Sequence, residues 1–268
     1  MAYKIVFSDI DGTVLNSAHH VLPNTIFSVK TLLQKSIPFV LVSARMPKAI
    51  KTVTNEMNVN IPMISYSGAL VLDELQNVLY DKKIASKDVM DVIKEIKLYW
   101  SDSVVINYYT GDDWFVENTD DEAVKREEKI TKVKASKADF KQLLMNNILP
   151  NKFLCMTNPS ICEMMEKVLK EMFPQLKIMR SSPILLEIMA KEVSKAEGIK
   201  VILEHYNLKS NEAIAFGDNY NDVDMLKFVG TGVVMQNAPE DIKAKAKYIT
   251  KSNDEDGIYT YLKKISLI

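Results

Sequence analysis

The sequence is short of several features that would each have implied a function. It has two cysteines, Cys155 and Cys162, in 268 residues. They lack zinc-ligand spacing and have no further partners, so neither a disulfide framework nor a thiolate metal centre is expected, and both read as reduced structural thiols. No apolar run approaches the roughly eighteen residues that cross a bilayer, and Met1-Ala2-Tyr3-Lys4 leads straight into a strand. The 34 basic and 35 acidic side chains sum to a charge of −1, which offers neither a basic footprint for nucleic acid nor a polybasic membrane patch. There is no internal repeat and no low-complexity linker. Of the three histidines, His19 and His20 are adjacent in a loop and are expected to be solvated rather than metal-bound. These absences point to a cytosolic chain that acts on a small molecule, with no nucleic-acid or membrane partner.

What is present is the balance of a globular protein, 47% hydrophobic and 26% charged, long enough for two domains or one with a large insertion. The most informative stretch is Asp9-Ile10-Asp11-Gly12-Thr13. Lys4-Ile5-Val6-Phe7 before it is a short apolar run of the kind found in the middle of a parallel sheet, so two carboxylates fall where that strand ends. Period-2 geometry places Asp9 and Asp11 on one side, where they repel unless a cation intervenes, and Gly12 permits a tight turn. A calcium loop is excluded: counting from Asp9, Val14 stands where its glycine belongs and His20 where its glutamate belongs.

Along the chain, Leu22-Pro23 introduces a helix with Ile26, Val29, Leu32 and Leu33 on one face. Ile37 to Val42 reads as a second strand ending at Ser43-Ala44-Arg45, and Pro47 opens a helix carrying Ile50, Val53 and Met57. Ile61 to Tyr66 is a third strand, followed by Ser67-Gly68 and a hairpin of Leu70-Val71-Leu72 with Val78-Leu79-Tyr80. Strand alternating with helix implies right-handed crossovers and a parallel sheet. From Lys83 the pattern changes: a helix with Val89, Ile93, Ile96 and Trp100, a hairpin of Val104 to Tyr109 with Trp114 to Val116, a helix capped by Thr119 and Glu122, a strand from Lys152 to Met156, and a helix capped by Ser160 and Glu163 with a wide stripe from Ile161 to Phe173. Ile184 to Met189 closes this segment as a strand. The parallel pattern resumes with a helix from Ser194, a strand from Glu212 to Phe216, a turn over Gly217 to Asp222, the strand Gly232 to Met235, and a helix from Pro239 with Lys243, Lys245 and Lys247 on its wet face. The expected class is α/β: a doubly wound, Rossmann-like parallel-sheet core over 1–82 and 188–268, with an α+β insert over 83–187.

A second acidic pair, Asp218 and Asp222, repeats the logic of the first and shares one side if a helix starts at Asn219. Two such clusters at strand ends would form one strongly negative site that needs a cation, and hard oxygen ligands select Mg²⁺ or a similar ion. Ser194 and Glu197 fit a capping box, which puts Lys195 at the first helical position, where the macrodipole disfavours a cation. A lysine is tolerable there if an anion lies opposite, and the helix end and the ammonium would both attract a phosphate.

Asp9-x-Asp11-Gly12-Thr13, Ser43, Lys195 and Gly217-Asp218-x-x-Asn221-Asp222 together resemble the four ordered motifs of haloacid dehalogenase-like phosphatases. The order and spacing are similar to those of the Cof-type subgroup, whose α+β cap is inserted between the second and third motifs. The resemblance extends to Asn237-Ala238-Pro239 and Asn253-Asp254-x-Asp256-Gly257. It implies that Asp9 is the nucleophile of an aspartyl-phosphate mechanism and Asp11 the acid and base, that Ser43, Lys195 and Asn221 bind the phosphate, and that Asp9, Asp11 through its carbonyl, Asp218 and Asp222 serve Mg²⁺. The implied activity is hydrolysis of small phosphorylated metabolites such as sugar phosphates, by a monomer or homodimer. A phosphotransferase or sugar-phosphate mutase would use the same intermediate, and a non-turning phosphate sensor is disfavoured by the presence of both Asp9 and Asp11. Three departures stand out: Ser43-Ala44-Arg45 where many relatives have Thr-Gly-Arg, Ser67-Gly68 for a common Asn-Gly, and Gln236 for a frequent glycine.

Overall fold

A computed structural model of the chain describes residues 3–268, which divide into two compact units. The first contains the described residues up to Arg45, Ile50–Tyr80 and Ser194–Ile268; the second contains Asp81–Val193 with Met46–Ala49. Among the described residues, no helix is long and apolar enough to cross a membrane.

The first unit opens with β1 (Ile5–Asp9), fully buried, followed by α1 (Pro23–Gln34), β2 (Phe39–Val42), α2 (Pro47–Met57), β3 (Met63–Ser65), β4 (Leu70–Leu72) and β5 (Val78–Asp81). Proline at the first position of α1 and α2 pre-sets the helical φ where the missing N–H costs nothing. The buried face of α1 is Thr25, Ser28, Val29 and Leu32 rather than the apolar set with Ile26 and Leu33; the Ser28 hydroxyl is satisfied by the Asn24 carbonyl, which makes its burial tolerable. Both β2 and β3 are shorter than the apolar runs suggested, and at β3 this is because Tyr66 leaves the strand with a positive φ.

The second unit is an α+β layer: α3 (Ser86–Trp100), β6 (Val105–Thr110), β7 (Asp113–Val116), α4 (Glu122–Thr131), β8 (Ser136–Lys137), α5 (Phe140–Met145), β9 (Lys152–Met156), α6 (Pro159–Met172), β10 (Leu176–Ser182) and β11 (Leu185–Ala190). Its sheet runs β10-β11-β9-β6-β7-β8. One apolar core joins Val89, Ile96 and Trp100 of α3, Phe140 of α5, and Cys162, Met165 and Leu169 of α6 to Tyr108, Phe153, Cys155 and Ile188 of the sheet. Two caps differ from expectation. Asp121, not Thr119, caps α4 by accepting the Ala123 N–H, and Asn158, not Ser160, caps α6 by accepting the Ile161 N–H; Pro159 at the first position of α6 fixes the earlier start. The α6 stripe is also narrower, since Met164 is 49% and Met172 42% exposed. Strand β10 and helix α5 were not expected from the sequence.

The chain then returns to the first unit through α7 (Lys195–His205), β12 (Ala213–Gly217), α8 (Val223–Phe228), β13 (Thr231–Val234), α9 (Glu240–Lys243), β14 (Tyr248–Ile249) and α10 (Gly257–Lys264). Because α9 ends at Lys243, Lys245 and Lys247 lie beyond it. The sheet order is β14-β13-β12-β1-β2-β3-β4-β5, parallel from β14 to β3 and antiparallel at β3–β4. Ile199, Ile202 and Leu203 of α7 pack on Ile5, Phe7, Val40 and Val42. On the other face Tyr261 of α10 meets Phe216 edge-on at 5.8 Å, and α1 packs against α10. Helices therefore cover both faces of a parallel sheet. Its switch point lies at β1, which the chain leaves towards β2 and regains from the other side through β12, the place where such sheets bind ligands.

The insert core yields a first prediction. Tyr108 is fully buried, lies 5.3 Å from Phe140 and 5.2 Å from Phe153 by ring centroids, and donates its hydroxyl to the Ile148 carbonyl at 2.5 Å. Its substitution should therefore cost stability: Tyr108→Ala about 3–5 kcal/mol, Tyr108→Phe about 1 kcal/mol. Urea unfolding monitored by tryptophan fluorescence measures both, and a Tyr108→Ala loss below that of Tyr108→Phe would contradict the packing role.

Candidate active site

The carboxyl ends of β1, β2 and β12 carry the predicted residues because the sheet register puts them at one level. Asp9 pairs with Val42, so Ser43 follows at the next step, and Ser8 pairs with Phe216, so Gly217 and Asp218 emerge beside Asp9. Gly12 turns with a φ of 81°, and a β-carbon there would stand 2.4 Å from Asp218 Oδ2, so only glycine lets the first acidic loop close on the second. The Thr13 hydroxyl donates to Asp218 Oδ1 at 2.7 Å and fixes that carboxylate.

Lys195 is 1% exposed. Ser194 caps α7 by accepting the Glu197 N–H at 3.1 Å, which is the serine half of the expected capping box. The Lys195 ammonium donates to Asp9 Oδ1, and to Asp222 Oδ1 at 2.6 Å. The anion opposite the helix start is thus a pair of protein carboxylates. An exposed, snorkelling lysine is excluded. Asp222 is wholly engaged, since its Oδ2 accepts the N–H groups of Asp218 at 3.0 Å and Asn219 at 2.9 Å. That bonding comes from a tight turn over Tyr220–Asp222 that precedes α8; the expected helix start at Asn219 gives way to this turn, in which Asn219 is the cap.

Carboxylate oxygens of Asp9, Asp218 and Asp222 lie within 4.8 Å of one another, all from buried residues. Burial pushes the Asp9 carboxyl well above the usual carboxylate range, and Asp222, Asp218 and Asp11 add to this against the opposing pull of Lys195. Burial likewise pushes Asp218 up to about 6, with Asp222 and Asp11 adding to it and Thr13 and Lys195 opposing. Burial alone would lower the Lys195 ammonium, but Asp222 and Asp9 outweigh it and hold the proton on. Three carboxylates against one ammonium leave an anionic excess, and an all-oxygen donor set of this kind fits a hard divalent cation.

Asp11 does not join the cluster. Its carboxylate turns to Arg45, which donates from Nε at 2.9 Å and from Nη2 at 2.5 Å, so a bidentate ion pair stabilises the Asp11 charge, although Asp11 still adds to the upward push on Asp9. Ser43 is buried, and its hydroxyl oxygen accepts the Arg45 N–H at 3.1 Å. Asn221 is half-buried on the same turn as Asp218 and Asp222. Arg45 was missed as a functional residue, although its place two residues after Ser43 at a strand end was the available signal. Asn237 and Asn253 support the first loop: Asn237 donates to the Gly12 carbonyl at 2.8 Å, and Asn253 to that of Leu15 at 2.9 Å. The Gln236 departure leaves this turn intact, with the Ala238 N–H donating to the Met235 carbonyl.

A family model described as haloacid dehalogenase-like hydrolase matches residues 6–262. The chain belongs to the haloacid dehalogenase-like hydrolases. A Haemophilus influenzae protein named "Putative phosphatase" is 35% identical over 264 residues, spanning 98% of each chain. Among solved structures, a haloacid dehalogenase-like hydrolase from Bacteroides thetaiotaomicron superimposes with a TM-score of 0.89 at 29% identity, covering 98% of this chain and 99% of that one. A sugar phosphatase of subclass IIB in the same superfamily gives 0.85 at 27% identity, covering 99% of this chain and all of that one. The fold is that of the family, and the protein is an enzyme of the hydrolase class.

The raised Asp218 carboxyl makes a stability prediction for the metal-free protein. A folded-state value of about 6 against an ordinary 3.8 means the folded form holds a proton that the unfolded form has lost. Stability therefore falls as pH rises through that window and stays lower above it. An asparagine amide in the same place has no such proton to lose. In chelator, Asp218→Asn should match the wild type near pH 4 and exceed it by about 1–3 kcal/mol at pH 7.5. Urea unfolding at the two pH values measures the gap, and a variant less stable at pH 7.5 would show that Asp218 is not charge-strained.

Proposed function

We propose that the enzyme is a Mg²⁺-dependent, Cof-type phosphatase that hydrolyses small phosphorylated metabolites, sugar phosphates among them, through an aspartyl-phosphate on Asp9. The observation that carries this reading is the single ammonium of Lys195 shared by Asp9 and Asp222 at the end of β1, beside Asp218. A carboxylate attacks a phosphate monoester only where the charges of both are masked. The relative named as a phosphatase and the sugar phosphatase neighbour support the substrate class.

In this mechanism one oxygen of Asp9 forms a bond to phosphorus as the bond to the leaving oxygen breaks. Asp11, whose exposed carboxylate is paired with Arg45 in the substrate-free structure, leaves that pair and takes up a proton from solvent, delivers it to the leaving oxygen, and then takes one from the water that attacks phosphorus, which frees Asp9 and phosphate. Lys195 holds Asp9 in line. The Ser43 hydroxyl and the Asn221 amide offer donors to the phosphoryl oxygens. Asp9, Asp218 and the carbonyl of Asp11 would hold Mg²⁺, with Asp222 positioning Lys195 and the 217–222 turn. When bound, the ion supplies Lewis-acid neutralisation of phosphoryl charge.

Two substitutions test the roles. Asp9→Asn is nearly isosteric but non-nucleophilic and should fold while losing turnover to background; near-normal kcat in that variant would end the proposal. Asp11→Asn should slow phosphorylation by poor alkoxide leaving groups by about 10²–10⁴-fold, and by p-nitrophenyl phosphate far less. Single-turnover kinetics on both substrates make the comparison, and equal losses would remove Asp11 as the acid.

A further inference from the structure

The turn after β3 takes no part in the chemistry above, yet it is the most unusual backbone in the first unit. Tyr66, Ser67 and Gly68 have φ of 50°, 55° and 108°, three successive residues in the region that crowds a β-carbon against the carbonyl. Tyr66 is fully buried and Ser67 is 6% exposed, so this is a packed element in which local strain persists because its surroundings over-determine it.

The left-handed run aims the chain in two directions. The Tyr66 N–H donates to the Arg45 carbonyl at 3.1 Å and the Ser67 N–H to the Ser43 carbonyl at 2.9 Å, while the Ser43 N–H donates to the Ile64 carbonyl at 2.8 Å. These bonds extend the β2–β3 ladder beyond the strand ends and fix the backbone of Ser43 and Arg45. On the other side, a β-carbon at Gly68 would stand 2.0 Å from the Ser194 carbonyl oxygen, and one at Gly198 would stand 2.5 Å from Ile64 Cγ2 and 3.2 Å from Gly68 Cα. The turn is therefore seated, backbone to backbone, on the first turn of α7, whose first residue is Lys195.

We propose that Tyr66-Ser67-Gly68 is the positioning element of the anion site. It sets Ser43, Arg45 and Lys195 at one mutual spacing, and Ser67 acts through its left-handed backbone and not through its hydroxyl. The proposal rests on the phosphatase reading.

The test separates backbone from hydroxyl. Ser67→Gly and Ser67→Asn accept the left-handed conformation without the hydroxyl, whereas Ser67→Thr keeps the hydroxyl on a β-branched residue that resists it. Each full-length variant is assayed with p-nitrophenyl phosphate and Mg²⁺, with orthovanadate inhibition and thermal unfolding alongside. Glycine and asparagine variants should stay within about threefold of wild type in kcat and vanadate affinity. Ser67→Thr should lose at least about tenfold in both, with a smaller change in KM, because displaced groups harm the transition state most. Ser67→Ala should fall between, and carries the comparison if Ser67→Thr does not fold. An active threonine variant with an impaired glycine variant would make the hydroxyl the ligand and overturn the proposal. So would equal activity of all folded variants, or a loss of kcat with unchanged vanadate affinity, which reports only a smaller active fraction. If the wild type binds vanadate but hydrolyses no aryl phosphate, the phosphatase reading fails and the vanadate ranking still judges the turn; if it binds neither, both are overturned.

Discussion

The ammonium of Lys195, shared between Asp9 and Asp222, is the interaction on which the rest of the structure depends. A buried ammonium is tolerable only with carboxylate partners, and removing one partner of such a group typically costs about 3–5 kcal/mol. This fixes the register of three elements at once. β1 must end with Asp9 at the sheet edge, the 217–222 turn must present Asp222, and α7 must begin where its first side chain reaches both. The glycines at 68 and 198 follow from this, because α7 can sit that close to β3 only where no β-carbons intervene.

The same interaction leaves the site short of positive charge. One ammonium faces Asp9, Asp218 and Asp222, and burial raises the first two carboxyls in spite of it. Compensation of all three by protein cations would give a more stable metal-free fold, but it would remove the negative charge that the proposed mechanism uses to hold a divalent ion. On that proposal the excess is a stability cost kept for function, a pattern common where titratable groups are held in unfavourable surroundings.

Much of this is legible in the amino-acid sequence by itself. The strand-ending aspartates, the doubly wound order and the Ser194 cap follow from short-range rules, which read residues close together along the chain. Lys195 is legible as a misfit, a cation at a helix start, but its carboxylate partners come from positions 186 and 27 residues away in sequence. The Arg45–Asp11 pair and the left-handed turn at Tyr66 are not legible, because both depend on which strand ends lie side by side. Local spacing does not single out the caps at Asp121 and Asn158, because Thr119 and Ser160 offer equally good spacing, and only the helix packing, with Pro159 in the second case, decides between them. Helix α5 is a single short element whose Phe140 and Leu143 acquire meaning only from the core they fill.

Chemical trapping of the reaction at Asp9 is the most direct test of the central claim. The enzyme is mixed with excess aryl phosphate and Mg²⁺, quenched in acid within the first turnovers, reduced with borohydride and digested, and the peptide containing residues 5–12 is sequenced by mass spectrometry. An acyl phosphate is reduced where a free carboxylate is not, so homoserine in place of aspartate at position 9, and at no other acidic residue, is the predicted result. Steady turnover with position 9 unmodified at every quench time, or homoserine at position 11 or 218 instead, would contradict it.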